Sequence, residues 1–372
     1  MTDGIKSIVQ MDVKQLRTVL KDVVGVVEAR NTIPILSDIL FTATSDAVTV
    51  VGTDLDIWME RRSDIADGDR LSVAVPADTL SKIAGKLPTD ARVKLTAEDG
   101  KLTVAAGRSR FQLPTLPTDD FPIVPSTDWD AEFEVDSILL GAALGRVMHA
   151  ISTDETRYYL NGVFVHVVDG LLRFATTDGH RLARAQIDAP DGASAIPDVI
   201  VPRKTVRVLS GLLDKFEGKV EVSVTRSRLR FTIGETTLTS KTIDGTFPDY
   251  VRVIPTGNEL LVQVDRVQLV EAVGRVTTVA SDKTRAVKMS ISRDLITLTV
   301  RSPENGDGTE EVPCSYAGAP LTVGFNSKYL LESLGQMTAD TIDARFSDEK
   351  APSLWRDGDD SPALFVLMPM KV

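Results

Sequence analysis

Two periods of apolar and polar positions take turns along this chain. Apolar side chains spaced three to four apart run through 12–28, 76–88, 136–150, 202–215, 265–281 and 326–338 and predict six helices. Between them the spacing changes to alternation. In 39–51, 93–104, 162–175 and 220–233, strand-forming residues flank a short turn, two of them Asp-Gly, and each stretch predicts a hairpin.

The pattern also repeats at long range. Val75-Pro-Ala-Asp-Thr-Leu-Ser-Lys-Ile-Ala-Gly, Val201-Pro-Arg-Lys-Thr-Val-Arg-Val-Leu-Ser-Gly and Phe325-Asn-Ser-Lys-Tyr-Leu-Leu-Glu-Ser-Leu-Gly begin 126 and 124 residues apart. Gly85, Gly211 and Gly335 fall at one offset in them. Asp12, Asp136 and Asp265 open the other three helical stretches, 124 and 129 residues apart, each a candidate N-cap. Phe121-Pro122 recurs 126 residues later as Phe247-Pro248. Three units of about 125 residues, a size that suits a domain, therefore span the chain. The predicted boundaries are 1–126, 127–255 and 256–372. Each unit reads as helix, strands, helix, strands, so the fold class is α+β, three similar domains of helices packed on antiparallel sheet.

Composition narrows the chemistry. Of 372 residues 42% are hydrophobic but only 5% aromatic, which calls for aliphatic cores. The single cysteine, Cys314, excludes an intramolecular disulfide and a cysteine-cluster metal site. The three histidines, His149, His166 and His180, lack metal-binding spacing, and no cofactor is expected. No leader and no run of about 20 apolar residues is present, so a soluble cytoplasmic protein without a membrane partner is expected. The net charge of −11 excludes bulk attraction to nucleic acid. The second helices of the three units together carry seven basic against three acidic residues, whereas the first helices sum to zero. This split has two readings: ordinary solvated helix faces, or a helix-lined surface turned toward a polyanion. No base-reading motif is present, so such a surface would contact the nucleic-acid backbone.

Several motifs together carry a family likeness. Arg157-Tyr-Tyr-Leu-Asn-Gly162, Thr177-Asp-Gly-His-Arg-Leu182, Val201-Pro-Arg-Lys204, Phe247-Pro-Asp-Tyr250 and Met368-Pro-Met370 follow one another in an order that resembles the bacterial replicative sliding clamp, the DNA polymerase III beta subunit. The resemblance covers essentially the full chain. It implies a head-to-tail homodimeric ring of three-domain chains, with helices lining the hole. The ring would encircle double-stranded DNA without sequence specificity and act as a processivity factor. Its implied partners are the replicative polymerase, the clamp-loader complex and other proteins with short clamp-binding peptides.

The resemblance also implies sites. A partner-peptide pocket maps onto Leu160, Thr177, Gly179, His180, Arg181, Leu182, Pro248, Arg252 and Val253 of the second domain. From the third domain it takes Asn326, Tyr329, Ser353, Val366, Leu367, Met368, Pro369 and Met370. Leucine, valine and methionine would form an adaptable apolar recess, with His180, Arg181 and Arg252 as polar edges. Read alone, Thr177–His180 is an ordinary turn and Met368–Met370 a terminal strand. Lys371-Val372 and Thr284 depart from the family pattern at the pocket rim. DNA contact maps onto Arg30, Arg203 and Lys204, to which charge adds Lys82, Lys86 and Arg207; any of them could equally be a solvated cation. The dimer interface is expected to pair an edge strand bearing Arg108, Arg110, Phe111 and Leu113 with Glu304, Glu310 and Glu311 of another chain, the apolar pair contributing most.

Two rivals come from other classes. An enzyme would use Asp178 and His180 as an acid–base pair, but no nucleophile elbow, phosphate loop or dinucleotide fingerprint accompanies them. A repeat scaffold would bind peptides and never DNA.

Overall fold

The helices begin where side chains can satisfy the first free amides. Asp265 accepts from the Gln268 amide at 2.8 Å, and Asn326 from those of Lys328 and Tyr329 at 3.0 and 3.3 Å. At the first such site Gln15 Oε1 reaches back to accept from the Asp12 amide at 3.1 Å. In the computed structural model, which describes residues 7–28, 31–65, 67–280 and 285–372, the six α-helices are α1 Val13–Val24, α2 Ala77–Lys86, α3 Ser137–Met148, α4 Arg203–Leu213, α5 Arg266–Val276 and α6 Ser327–Leu334.

They are shorter than the apolar periodicity predicts. Gly25 ends α1 although Val26 and Val27 prolong the pattern, and Gly335 ends α6. Gly85 and Gly211, at the same repeat offset as Gly335, lie inside α2 and α4. The inward face of α1 is Val13, Leu16, Val19, Leu20 and Val23. Arg17 on the same helix gives its Nε to the Ala84 carbonyl at 2.8 Å and its Nη2 to those of Gly85 and Leu87, satisfying carbonyls at the end of α2.

The predicted hairpins form. Arg92–Glu98 pairs with Lys101–Ala106, and Gly162–Val168 with Leu171–Thr177. Their turns place Asp99, Gly100, Asp169 and Gly170 at φ between 50° and 74°, the hand that fits strand twist. All strand pairings described are antiparallel.

The described residues group into two compact units. Met1–Ile138 with Arg207–Thr242 holds a five-stranded and an eight-stranded sheet. In the latter, Ile57–Asp64 from the first third of the chain pairs with Thr236–Lys241 from the second. Leu139–Val206 with Ile243–Val372 holds a twelve-stranded sheet, in which Arg181–Asp188 pairs with Ala363–Leu367. Ala363–Leu367 is buried along its whole length, as a strand covered on both faces must be.

Candidate functional site

The second-unit residues that the sequence marks for the pocket converge on this continuous sheet. Cross-strand register places Arg181 opposite Leu367 and Leu367 opposite Ser353 in one row. The next row is Leu182, Val366 and Leu354. Leu160, Ala175, Leu182, Ile200, Phe247, Tyr250, Leu354, Leu364 and Val366 form one apolar cluster. The 247–250 segment closes on it: Phe247 stacks on Phe164 at 4.9 Å, and the Tyr250 hydroxyl lies 2.9 Å from His166 Nε2.

The candidate residues divide into a floor and a rim. Leu160, Arg181, Leu182, Ser353, Val366 and Leu367 are buried. Ser353 Oγ donates to the Leu367 carbonyl at 3.2 Å and accepts from Trp355 Nε1 at 2.8 Å, which fixes the two strands. Gly179, His180, Pro248, Arg252, Val253, Met368 and Met370 are exposed, and Thr177, Asn326, Tyr329 and Pro369 are intermediate. The Met368 amide donates to the His180 carbonyl and that of Met370 to Gly324, each at 2.9 Å, so the C-terminal segment runs from the turn to strand Leu321–Asn326. A recess of about 510 Å³ lies there, lined by Gly324, Pro369, Met370, Lys371 and Val372 among others.

Asp178 builds the turn. Its Oδ1 accepts from the amides of His180 and Arg181 at 2.9 and 3.1 Å, and its Oδ2 from Arg181 Nε at 3.1 Å. Thr177 Oγ1 donates to the Arg181 carbonyl at 2.7 Å and accepts from the Gly179 amide. Gly179 sits at φ 90°, and a Cβ there would stand 2.7 Å from Arg157 Nη1. Contrary to its expected place on the pocket edge, Arg181 is only 7% exposed, because three acceptors hold it inside. Besides Asp178 these are the Glu332 carboxylate and the His149 carbonyl. The Tyr329 ring covers its guanidinium at 4.3 Å and runs nearly parallel to His180. Burial, and then the Arg181 charge, push the pKa of His149 down to about 3.

The first third repeats this turn. The Leu55 amide donates to Thr53 Oγ1, and the Asp56 and Ile57 amides donate to Asp54 Oδ1 at 2.9 and 2.7 Å. Leu55, at φ 78°, stands where Gly179 stands in the other copy. Its side chain packs onto the cluster of Ile35, Leu36, Ala74 and Phe121.

The residues expected at DNA occupy helices. Lys82 and Lys86 are exposed on α2, with Lys82 2.6 Å from Asp78. Arg203, Lys204 and Arg207 crowd the first turns of α4, with no acid in its first turn. Cations at a helix N-terminus oppose the helix dipole, and together they make a strongly positive end. Arg30 and Thr284 lie outside the described residues.

At the expected dimer interface, Ser109–Pro114 is an edge strand of the five-stranded sheet, with Arg108, Arg110 and Phe111 exposed. Leu113 is buried in its own unit, and so is not free to contribute there as expected. Strand Gly306–Ser315 pairs with Leu295–Ser302 along its length and on its other side only through Cys314 and Ser315, leaving an open edge among the described residues. Glu311 is exposed on this strand and Glu304 in the turn before it. Glu310 is engaged within the chain by Arg275 at 2.7 Å, which removes it from the acids expected to face a partner.

The fold and this arrangement define a class, clamp-like chains of antiparallel-sheet domains with paired helices. Three family models match in order: the N-terminal domain of the DNA polymerase III beta subunit over residues 9–125, the central domain over 134–249 and the C-terminal domain over 251–371. The Caulobacter vibrioides beta sliding clamp is 43% identical over 95% of this chain and 96% of its own length, and that of Pseudomonas aeruginosa 38% over the same shares. Among solved structures, the sliding clamp of Bartonella birtlesii bound to griselimycin matches with a TM-score of 0.96 and 38% identity, covering 99% of this chain and all of that one. The Caulobacter crescentus beta sliding clamp matches at 0.95 and 41%, covering 99% of each. The chain belongs to the DNA polymerase III beta subunit family, the bacterial sliding clamps.

Proposed function

We propose that this protein is a DNA sliding clamp, a processivity factor that encircles duplex DNA and tethers the replicative polymerase and other partners through a peptide-binding pocket. The observation that carries the reading is the match of all three family domains, in order, from residue 9 to residue 371. The three-domain division with boundaries 1–126, 127–255 and 256–372 belongs to the same proposal.

Processivity asks a protein to stay on DNA and still move. Tight phosphate contacts would hold it but brake it, and they weaken steeply with salt. A closed ring separates the demands: topology prevents escape while a mildly basic lining permits sliding. Two copies would join head to tail, the open edge at Ser109–Pro114 meeting the open edge at Gly306–Ser315. Phe111 would supply the apolar contact and Arg108 and Arg110 the charge opposite Glu304 and Glu311. Arg30, Arg203, Lys204, Arg207, Lys82 and Lys86 would meet phosphates without reading bases. The apolar cluster under Leu182 and Val366, rimmed by Val253, Met368 and Met370, would take a short peptide of the polymerase or clamp loader. A polymerase so bound stays near the primer end at high effective concentration.

The role is non-catalytic and cytoplasmic in this reading. Asp178 supports it, because both its carboxylate oxygens are engaged in building the turn. Among the described residues no helix is long and apolar enough to cross a membrane.

Retention on DNA tests the reading. After loading, the protein should stay on nicked circles through gel filtration and leave once a nuclease linearises them. Equal loss from circles and linear DNA would overturn it.

A further inference from the structure

A rank of arginines borders the apolar cluster on the same sheet face. Arg173 lies two residues along its strand from Ala175, Arg184 two from Leu182, and Arg356 two from Leu354, so each side chain points to the cluster's side of the sheet. Register sets Arg184 between Ala175 and Leu364. Arg356 lies on the next strand but one, about 10 Å away at ordinary strand spacing.

These cations are poorly answered within the chain. The Nε of all three is shut away from solvent without a hydrogen-bond partner, as is Gln186 Oε1, whose residue faces Arg173 in register. Among the described residues neither Arg184 nor Arg356 has a carboxylate within 4.0 Å. Asp343, opposite Arg356, accepts from Gln263 Nε2 instead. Arg173 meets the exposed Asp169 at 4.0 Å and the Tyr250 side chain through a hydrogen bond. Three guanidinium groups gathered beside an apolar floor, with Asp169 their single carboxylate within 4.0 Å among the described residues, make an anion receptor.

We propose that Arg184 and Arg356, with Arg173 behind them, bind acidic side chains of the partner segment whose apolar residues seat in the cluster. This rests on the peptide-pocket reading above and adds the chemistry of the ligand. An extended chain advances about 3.3 Å per residue, so two acids three residues apart span the two arginines. Continuity with the apolar cluster and its exposed rim of Val253, Met368 and Met370 favours a peptide over a nucleic-acid phosphate, which has nothing to place on that rim.

The test uses the full-length protein and two fluorescein-labelled decapeptides with the same leucine–phenylalanine anchor. One carries two aspartates three residues apart, the other asparagines in their place. By fluorescence anisotropy at low salt, wild type should bind the aspartate peptide at least tenfold more tightly. Arg184→Gln combined with Arg356→Gln should erase that advantage to within twofold and leave the asparagine peptide's affinity unchanged. Equal weakening of both peptides, or no preference in wild type, overturns the proposal while leaving the pocket standing. Failure of either peptide to bind wild type overturns the pocket reading itself. A labelled 12-base-pair duplex is the third probe: a loss of duplex affinity in the double variant, with peptide affinities unmoved, overturns the proposal by assigning the patch to phosphate.

Discussion

The guanidinium of Arg181 lies 4.3 Å from the centre of the Tyr329 ring, and through this pair the 178–181 turn is joined to α6. Glu332 on α6 holds the same arginine from the other side. Removing the cation deprives Asp178 and Glu332 of the partner they share. Arg181→Ala should therefore cost about 3 kcal/mol, typical of a broken buried pair, in urea unfolding. Arg181→Lys should recover part of this, because it restores charge without the planar fork. Equal midpoints for wild type and Arg181→Ala would contradict the account.

Gly179 is positioned for a different failure. At φ 90° an alanine is strained, and its Cβ would displace Arg157, whose Nε lies 2.9 Å from Asp154. Hydrogen bonds from Thr156 and Arg157 hold the Asp154 pKa down at about 2. Gly179→Ala should cost about 1 kcal/mol and let that carboxyl titrate higher. NMR titration of Asp154 in the variant checks the second effect directly.

His149 predicts an acid-side loss of stability. The unfolded chain takes up a proton near pH 6.5, whereas the folded one does so only near 3. Between these values the unfolded state binds more protons, so stability is present above pH 6.5 and falls as pH drops toward 3. The slope from one such group is at most about 1.4 kcal/mol per pH unit. Asp38, raised to about 6 by burial, acts oppositely, its contribution present below pH 3.8 and lost as pH rises through 6. His149→Gln should flatten the acid limb of the stability curve and leave stability at pH 8 near that of wild type.

The C-terminal residues should matter to binding more than to folding. Beyond Leu367 the segment is held by the Met368 and Met370 amides, while Val372 rests against Gly324. Deleting residues 370–372 should leave the urea midpoint unchanged but abolish anisotropy with an apolar-anchored peptide. A truncated protein that binds as wild type does would remove Met370 from the pocket.

Local chemistry is where the sequence was most legible. The Asp99-Gly100 and Asp169-Gly170 turns, the caps at Asp265 and Asn326 and the six helices follow from short-range rules, and they appear where those rules put them. Helix ends were less legible, since Val26 and Val27 prolong the apolar pattern past the glycine that stops α1. The joining of Arg181–Asp188 to Ala363–Leu367 was invisible, because pairing across about 180 residues leaves no periodic mark. The family motifs named the pocket residues, but not that Arg181 lies inside rather than at the rim. That depends on Glu332 and the His149 carbonyl, which only folding brings near. Glu310 taught the same lesson: its partner Arg275 sits 35 residues away and reads in the sequence as an unremarkable helix cation.

The two sister turns differ at one position. Where the Arg157 guanidinium takes the space beside Gly179, Leu55 bends its backbone into the same unusual shape and lays its own side chain on the cluster of Ile35, Leu36, Ala74 and Phe121. One residue at the tip thus decides what a duplicated turn packs against, an arginine in one copy and an apolar floor in the other.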